Sequence, residues 1–70
     1  MYAFVGKKKM GENLIKLRGS RQQNAVAKAI NITPTALSNY ESGARIPRDE
    51  VKARIANYYG VTLESIFFLQ

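Results

Sequence analysis

Seventy residues make one small domain with a modest core, and the absence of cysteine and histidine removes disulfides, thiolate metal sites and histidine-based catalysis. Eleven Lys and Arg against five Asp and Glu give a net charge of +6, a bias toward a polyanionic partner. The carboxylates are scattered, no glycine-rich phosphate loop occurs and no apolar run approaches the roughly 20 residues of a membrane span, so neither an enzyme, nor a cofactor, nor a membrane protein is expected.

Residues 1–9 lack a helical stripe and end in Lys7-Lys8-Lys9. They are expected to form a flexible basic arm ahead of a domain spanning residues 10–70, unless Tyr2, Phe4 and Val5 pack on the body. Their apolar residues precede the lysines, the reverse of a secretory signal, which with the lack of cysteine fits a cytoplasmic protein. A first helix is predicted over 10–18, with Met10, Leu14 and Leu17 on its buried stripe and Gly19 at its end. Ser20 followed by Gln23 fits a capping box opening the second helix. There, Val26, Ala27 and Ile30 share one face at i, i+1, i+4.

Asn31 suits the left-handed conformation that ends this helix, Ile32 plugs the angle, and Thr33 can cap a third helix with Pro34 in its first position. That helix runs to Glu41, buries Leu37 and Tyr40, and stops at Ser42-Gly43. After the loop Ala44-Arg45-Ile46-Pro47, a fourth helix is predicted over 48–59, with Asp49 and Glu50 complementing its dipole and Val51, Ile55, Tyr58 and Tyr59 as apolar contacts. Thr62 can cap a short fifth helix carrying Leu63, Ile66 and Phe67. No strand is required, and the fold expected is all-α.

Two short helices joined by a turn of three to four residues form a helix-turn-helix, which reads DNA from the N-terminal half of its second helix. The side chains so placed are Thr33, Thr35, Ala36, Ser38 and Asn39. Thr and Ala methyls can pack on thymine methyls, and an Asn can pair in bidentate fashion with adenine. Thr33 has the competing role of a cap, whereas Asn39 has no core role at its helical phase.

The segments Gln23-x-x-Val26-Ala27, Ile32-Thr33, Leu37-Ser38-x-x-Glu41-x-Gly43, Pro47 and Ile55-Ala56-x-x-Tyr59-x-Val61 resemble the lambda-repressor-like, Xre-type helix-turn-helix regulators. The resemblance spans about residues 10–67 and implies a compact bundle of five helices whose third enters the major groove of double-stranded DNA. It further implies phosphate contacts from Gln23, at the start of the second helix, and from Arg45 and Arg48 around Pro47; Arg21 and Lys28 join them as basic candidates. Arg18 and Glu41 match positions that form a bracing ion pair in relatives. Two features depart from the family pattern: a short link at residues 19–22, and Pro34-Thr35-Ala36 where many relatives place Gln, Ser or Arg.

The ending Ile66-Phe67-Phe68-Leu69 carries more apolar surface than one short helix can bury, so Phe67, Phe68 and Leu69 are expected to form a dimer contact. The functional expectation is a phage or bacterial transcriptional regulator, a repressor acting as a homodimer on DNA with no small-molecule effector. The rival expectation is a helix-turn-helix interaction module, antitoxin-like or a co-regulator, with weak or nonspecific DNA binding.

Overall fold

The computed structural model describes residues 3–69, and Tyr2 lies outside them. The described residues form α1 (Lys7–Arg18), α2 (Gln23–Ile30), α3 (Pro34–Ser42), α4 (Asp49–Tyr59) and α5 (Leu63–Phe67). Each contributes its apolar stripe to one core: Met10 and Leu14 from α1, Val26 and Ile30 from α2, Leu37 from α3, Ile55 from α4, and Ile66 with Phe67 from α5. Helices this short are marginal alone. Each fully buried aliphatic or aromatic side chain contributes roughly 1.5–3 kcal/mol, against about 1 kcal/mol for a cap. Packing therefore holds the elements, and the caps decide where they end.

Thr33 caps α3 as the sequence suggests, its Oγ1 accepting from the Ala36 N–H at 3.0 Å. Thr62 does the same for α5, accepting from the Ser65 N–H. Asn31 closes α2 at φ 66°, ψ 48°, a left-handed conformation that Asn tolerates better than bulkier residues. The Ile32 N–H then reaches back to the Ala27 carbonyl at 2.9 Å, which turns the chain into α3. Ile32 packs against the core in the angle so formed. From α4, Arg54 seals the end of α2 by donating to the carbonyls of Ile30 at 2.9 Å and Asn31 at 3.3 Å.

Two local expectations fail. Ser20 does not cap α2; Gln22 occupies that position without a side-chain cap, because Gln23 turns its amide to a carboxylate on α3 instead. The basic arm is also not an arm as far as its lysines go: α1 starts at Lys7, after Gly6, so Lys7, Lys8 and Lys9 are helical. Ahead of it, the Val5 N–H donates to Phe67 O at 2.9 Å, the Leu69 N–H donates to Ala3 O at 2.7 Å, and Phe4 bridges antiparallel to Phe68. Lys52 lies over the rings of Phe67, Phe4 and Phe68, 5.4–5.9 Å from their centroids. This pairing joins opposite ends of the sequence, so no local periodicity announces it.

Helix α1 crosses the end of α3 at very short range. A Cβ built on Gly11 would overlap the Glu41 carbonyl oxygen. Glycine inside a helix costs about 1 kcal/mol relative to alanine, and here the close crossing is what it permits. Among the described residues, no helix is long and apolar enough to cross a membrane.

Candidate nucleic-acid interface

On α3, Thr33, Thr35 and Ser38 are exposed, and Asn39 is half-buried. Ala36 is half-buried as well and packs against the core. The Asn39 carbonyl accepts the N–H groups of Ala44 at 2.9 Å and Arg45 at 3.2 Å, while its side-chain amide has no hydrogen bond among the described residues. Helix α3 stops at Gly43, whose φ of 78° lies in the left-handed region where a side chain would be strained. The exposed face of α3 is thus polar, neutral and built from short side chains.

The cationic residues divide. Lys28, Arg45 and Arg48 are exposed and form no ion pair among the described residues. Arg21 is exposed but engaged: its Nη1 donates to Leu17 O at 3.1 Å, and its guanidinium stacks 5.5 Å from the Tyr59 ring centroid and 5.8 Å from that of Tyr58. Such contacts hold the side chain in place while leaving its charge intact.

Arg18 and Glu41 form a two-point ion pair across the α1–α3 crossing. Arg18 Nε donates to Glu41 Oε2 at 2.7 Å and Nη2 donates to Oε1 at 3.1 Å. The Glu41 side chain is 5% exposed, so the guanidinium supplies the charge balance that burial demands. The hydrogen bond to Glu41 raises the Arg18 pKa above its ordinary value. Arg18 Nη1 also donates to Arg21 O at 2.8 Å, which ties down the short link before α2. Gln23 completes the cluster, its Nε2 donating to Glu41 Oε1 at 3.1 Å.

The start of α2 carries the other notable donors. The first bond of this helix runs from the Val26 N–H to Gln22 O at 3.1 Å, so the N–H groups of Gln23, Asn24 and Ala25 precede the helical ladder. No side chain caps them. Next to the Arg18–Glu41 cluster stands Tyr59, whose hydroxyl is buried without a hydrogen-bond partner. Burial raises its pKa above the ordinary 10.0, and the negative charge of Glu41 adds to the effect.

The expected dimer contact needs correction. Phe67 is fully buried in the core, and Phe68 is half-covered through its bridge to Phe4; of the three residues only Leu69, 56% exposed, presents itself outward. The extended segment at residues 3–5 supplies the cover, which the short fifth helix alone could not. Tyr58 likewise lies outside the core, 39% exposed.

Gly11, Arg54 and the Gln23–Glu41 bond are structural determinants that residue pattern did not single out. An isolated glycine inside a helical stripe is a signal of close packing and could have marked Gly11. Nothing local distinguishes Arg54 from a solvated arginine. Among the described residues no three His, Cys, Asp or Glu side chains group closely enough to hold a metal ion.

The helix-turn-helix family model matches residues 12–66. No curated protein sequence matches the chain significantly. Among solved structures, the SOS-response transcriptional repressor LexA from Eubacterium rectale superposes with a TM-score of 0.78 at 24% identity, covering 89% of this chain and 71% of its own. Two structures of the clp gene regulator ClgR from Corynebacterium glutamicum superpose at 0.77 and 0.74, each at 21% identity. They cover 86% of this chain, and 66% and 80% of their own. At such identities the likeness establishes a shared fold.

Proposed function

This chain belongs to the lambda-repressor-like helix-turn-helix family of DNA-binding regulators, and from that premise we propose that it is a sequence-specific repressor of phage or bacterial type, acting in the cytoplasm on double-stranded DNA. Helix α3 enters the major groove with Thr35, Ser38 and Asn39 toward the bases, and Thr33 contributes its methyl while its oxygen serves the cap. The observation that carries this reading is the meeting, within one helix-turn-helix, of an exposed neutral face on α3 with an uncapped N-terminus on α2. The neutral face suits a groove floor of mixed donors and acceptors. The uncapped N–H groups suit a phosphate, because a helix N-terminus carries partial positive charge.

Gln23 offers a second amide N–H to the same phosphate, and Arg45, Arg48 and Lys28 add uncommitted positive charge. Without Arg or Lys on α3, direct readout runs through thymine methyls and an Asn39–adenine pair rather than through guanine. One helix of this size reads too few bases to find a single operator, so the protein acts as a homodimer on two half-sites about 10 bp apart. The dimer contact excludes Phe67, which is buried.

Selection of bound duplexes from a random pool, followed by titration of the winner and a scrambled control at two salt concentrations, tests this reading. A palindrome bound about a hundredfold better than the control is the expected result. Equal and salt-fragile binding of both duplexes, or none, would replace the operator reading with the interaction-module one.

A further inference from the structure

We propose that Glu41 is a positioning residue for DNA, orienting Gln23 so that the α2 N-terminus presents a complete set of donors to one phosphate. The inference rests on the DNA-binding reading above and goes beyond it, because Glu41, buried and negative, touches no DNA in that reading.

A carboxylate only accepts hydrogen bonds. The Gln23 amide must therefore turn its nitrogen, not its oxygen, to Glu41 Oε1, as the 3.1 Å contact shows. One N–H is used there, and the other is left on the same nitrogen for an outside acceptor. Were Glu41 absent, the amide would rotate freely, and half of its orientations would offer an oxygen to the approaching phosphate. The N–H groups of Gln23, Asn24 and Ala25 lie beside this amide at the start of α2.

A buried negative charge next to a phosphate site would by itself repel the ligand, which makes the third member essential. Arg18 holds both Glu41 oxygens, at 2.7 Å and 3.1 Å, and so cancels that charge at its source. The Tyr59 phenol also lies near Glu41, whose negative charge helps to raise the phenol's pKa, and Arg21 stacks on Tyr59 and is tied to Arg18 through its own carbonyl. Arg18, Glu41 and Gln23 thus form a chain from α1 through α3 to α2. Its outcome is one amide held in one orientation, so that the loss of freedom is met on folding rather than on binding.

The test is a double-mutant cycle on duplex affinity combined with single methylphosphonate substitutions, each of which removes the charge of one phosphate in the selected operator. Folding of each variant is checked by circular dichroism. Gln23→Ala should weaken binding about tenfold, the worth of one hydrogen bond to a charged group, and reduce sensitivity at one phosphate per half-site, where the backbone N–H groups of α2 remain. Glu41→Gln should produce the same loss at that same phosphate and leave the other sensitive phosphates unchanged. Adding Gln23→Ala to Glu41→Gln should then cost less than about twofold, since coupled residues are not additive. If Glu41→Gln fails to fold, Arg18→Met with Glu41→Leu removes the pair without stranding a charge, and the same phosphate-specific loss is expected. Additive effects, or a loss spread evenly over all phosphates, overturn the positioning role and leave the DNA reading standing. Absence of duplex binding by the parent protein overturns both.

Discussion

The α1–α3 crossing and the loop between α3 and α4 both carry arginines, yet the two regions treat them in opposite ways. At the crossing, Arg18 is locked onto Glu41 and onto the Arg21 carbonyl, and Arg21 lies against two tyrosine rings. In the loop, Arg45 and Arg48 extend from the surface on either side of buried Pro47 and make no ion pair among the described residues. The first region converts charge into geometry. The second keeps charge available. The count of eleven cations therefore overstates how many side chains are free to reach a polyanion, because Arg18 and Lys52 are paired with carboxylates and Arg54 is held by backbone carbonyls.

The contrast is sharpest when stability and binding are measured on the same variants. Arg18→Ala strands Glu41 in a nearly dry site and should cost about 3 kcal/mol, read as a lower urea midpoint. In so small a domain such a loss takes up much of the total stability. Charge reversal at both Arg45 and Arg48 should leave the unfolding free energy from urea titration within about 0.5 kcal/mol of the parent. Duplex affinity should fall on the order of a hundredfold, with a shallower salt dependence than the parent. An arginine pair that changed stability instead of affinity would erase the distinction between the two regions.

Smaller effects probe the crossing itself. Gly11→Ala gains helix propensity but drives a methyl into the Glu41 carbonyl, so a net loss of about 1–2 kcal/mol is expected in thermal melts. A neutral or stabilising result would mean that α1 can slide on α3 without harm to the cluster. Tyr59→Phe deletes a buried hydroxyl without a hydrogen-bond partner and should raise stability by about 0.5 kcal/mol. Because the folded-state pKa of Tyr59 lies above its unfolded value, its neutral form contributes fully below about pH 10 and the contribution fades as pH rises through the folded pKa. The parent should therefore lose stability above pH 10 more steeply than Tyr59→Phe.

Local chemistry was legible wherever neighbours in sequence decide the outcome. Asn31, Thr33, Pro34, Gly43 and Thr62 bound their helices through contacts within a few residues, and the stripes Val26-Ala27-Ile30 and Met10-Leu14 follow from helical period alone. The start of α1 and the start of α2 were not legible. In each, a partner distant in sequence (Phe67 for Val5, Glu41 for Gln23) outweighed the local signal. The apolar ending misled for the same reason, since residues 3–5 arrive to cover Phe67 and Phe68. On the candidate interface, the neutral character of α3 was plain from its residues, but the half-burial of Ala36 against the core was not.

The sequence by itself determined the helix-turn-helix, its turn chemistry and its basic balance, since caps, periods and charges are properties of short stretches of chain. Tertiary structure alone decided which cations remain free, which glycine admits a crossing helix and which way the Gln23 amide faces. Those outcomes depend on a buried carboxylate and a backbone carbonyl brought from another helix, and only folding sets those distances.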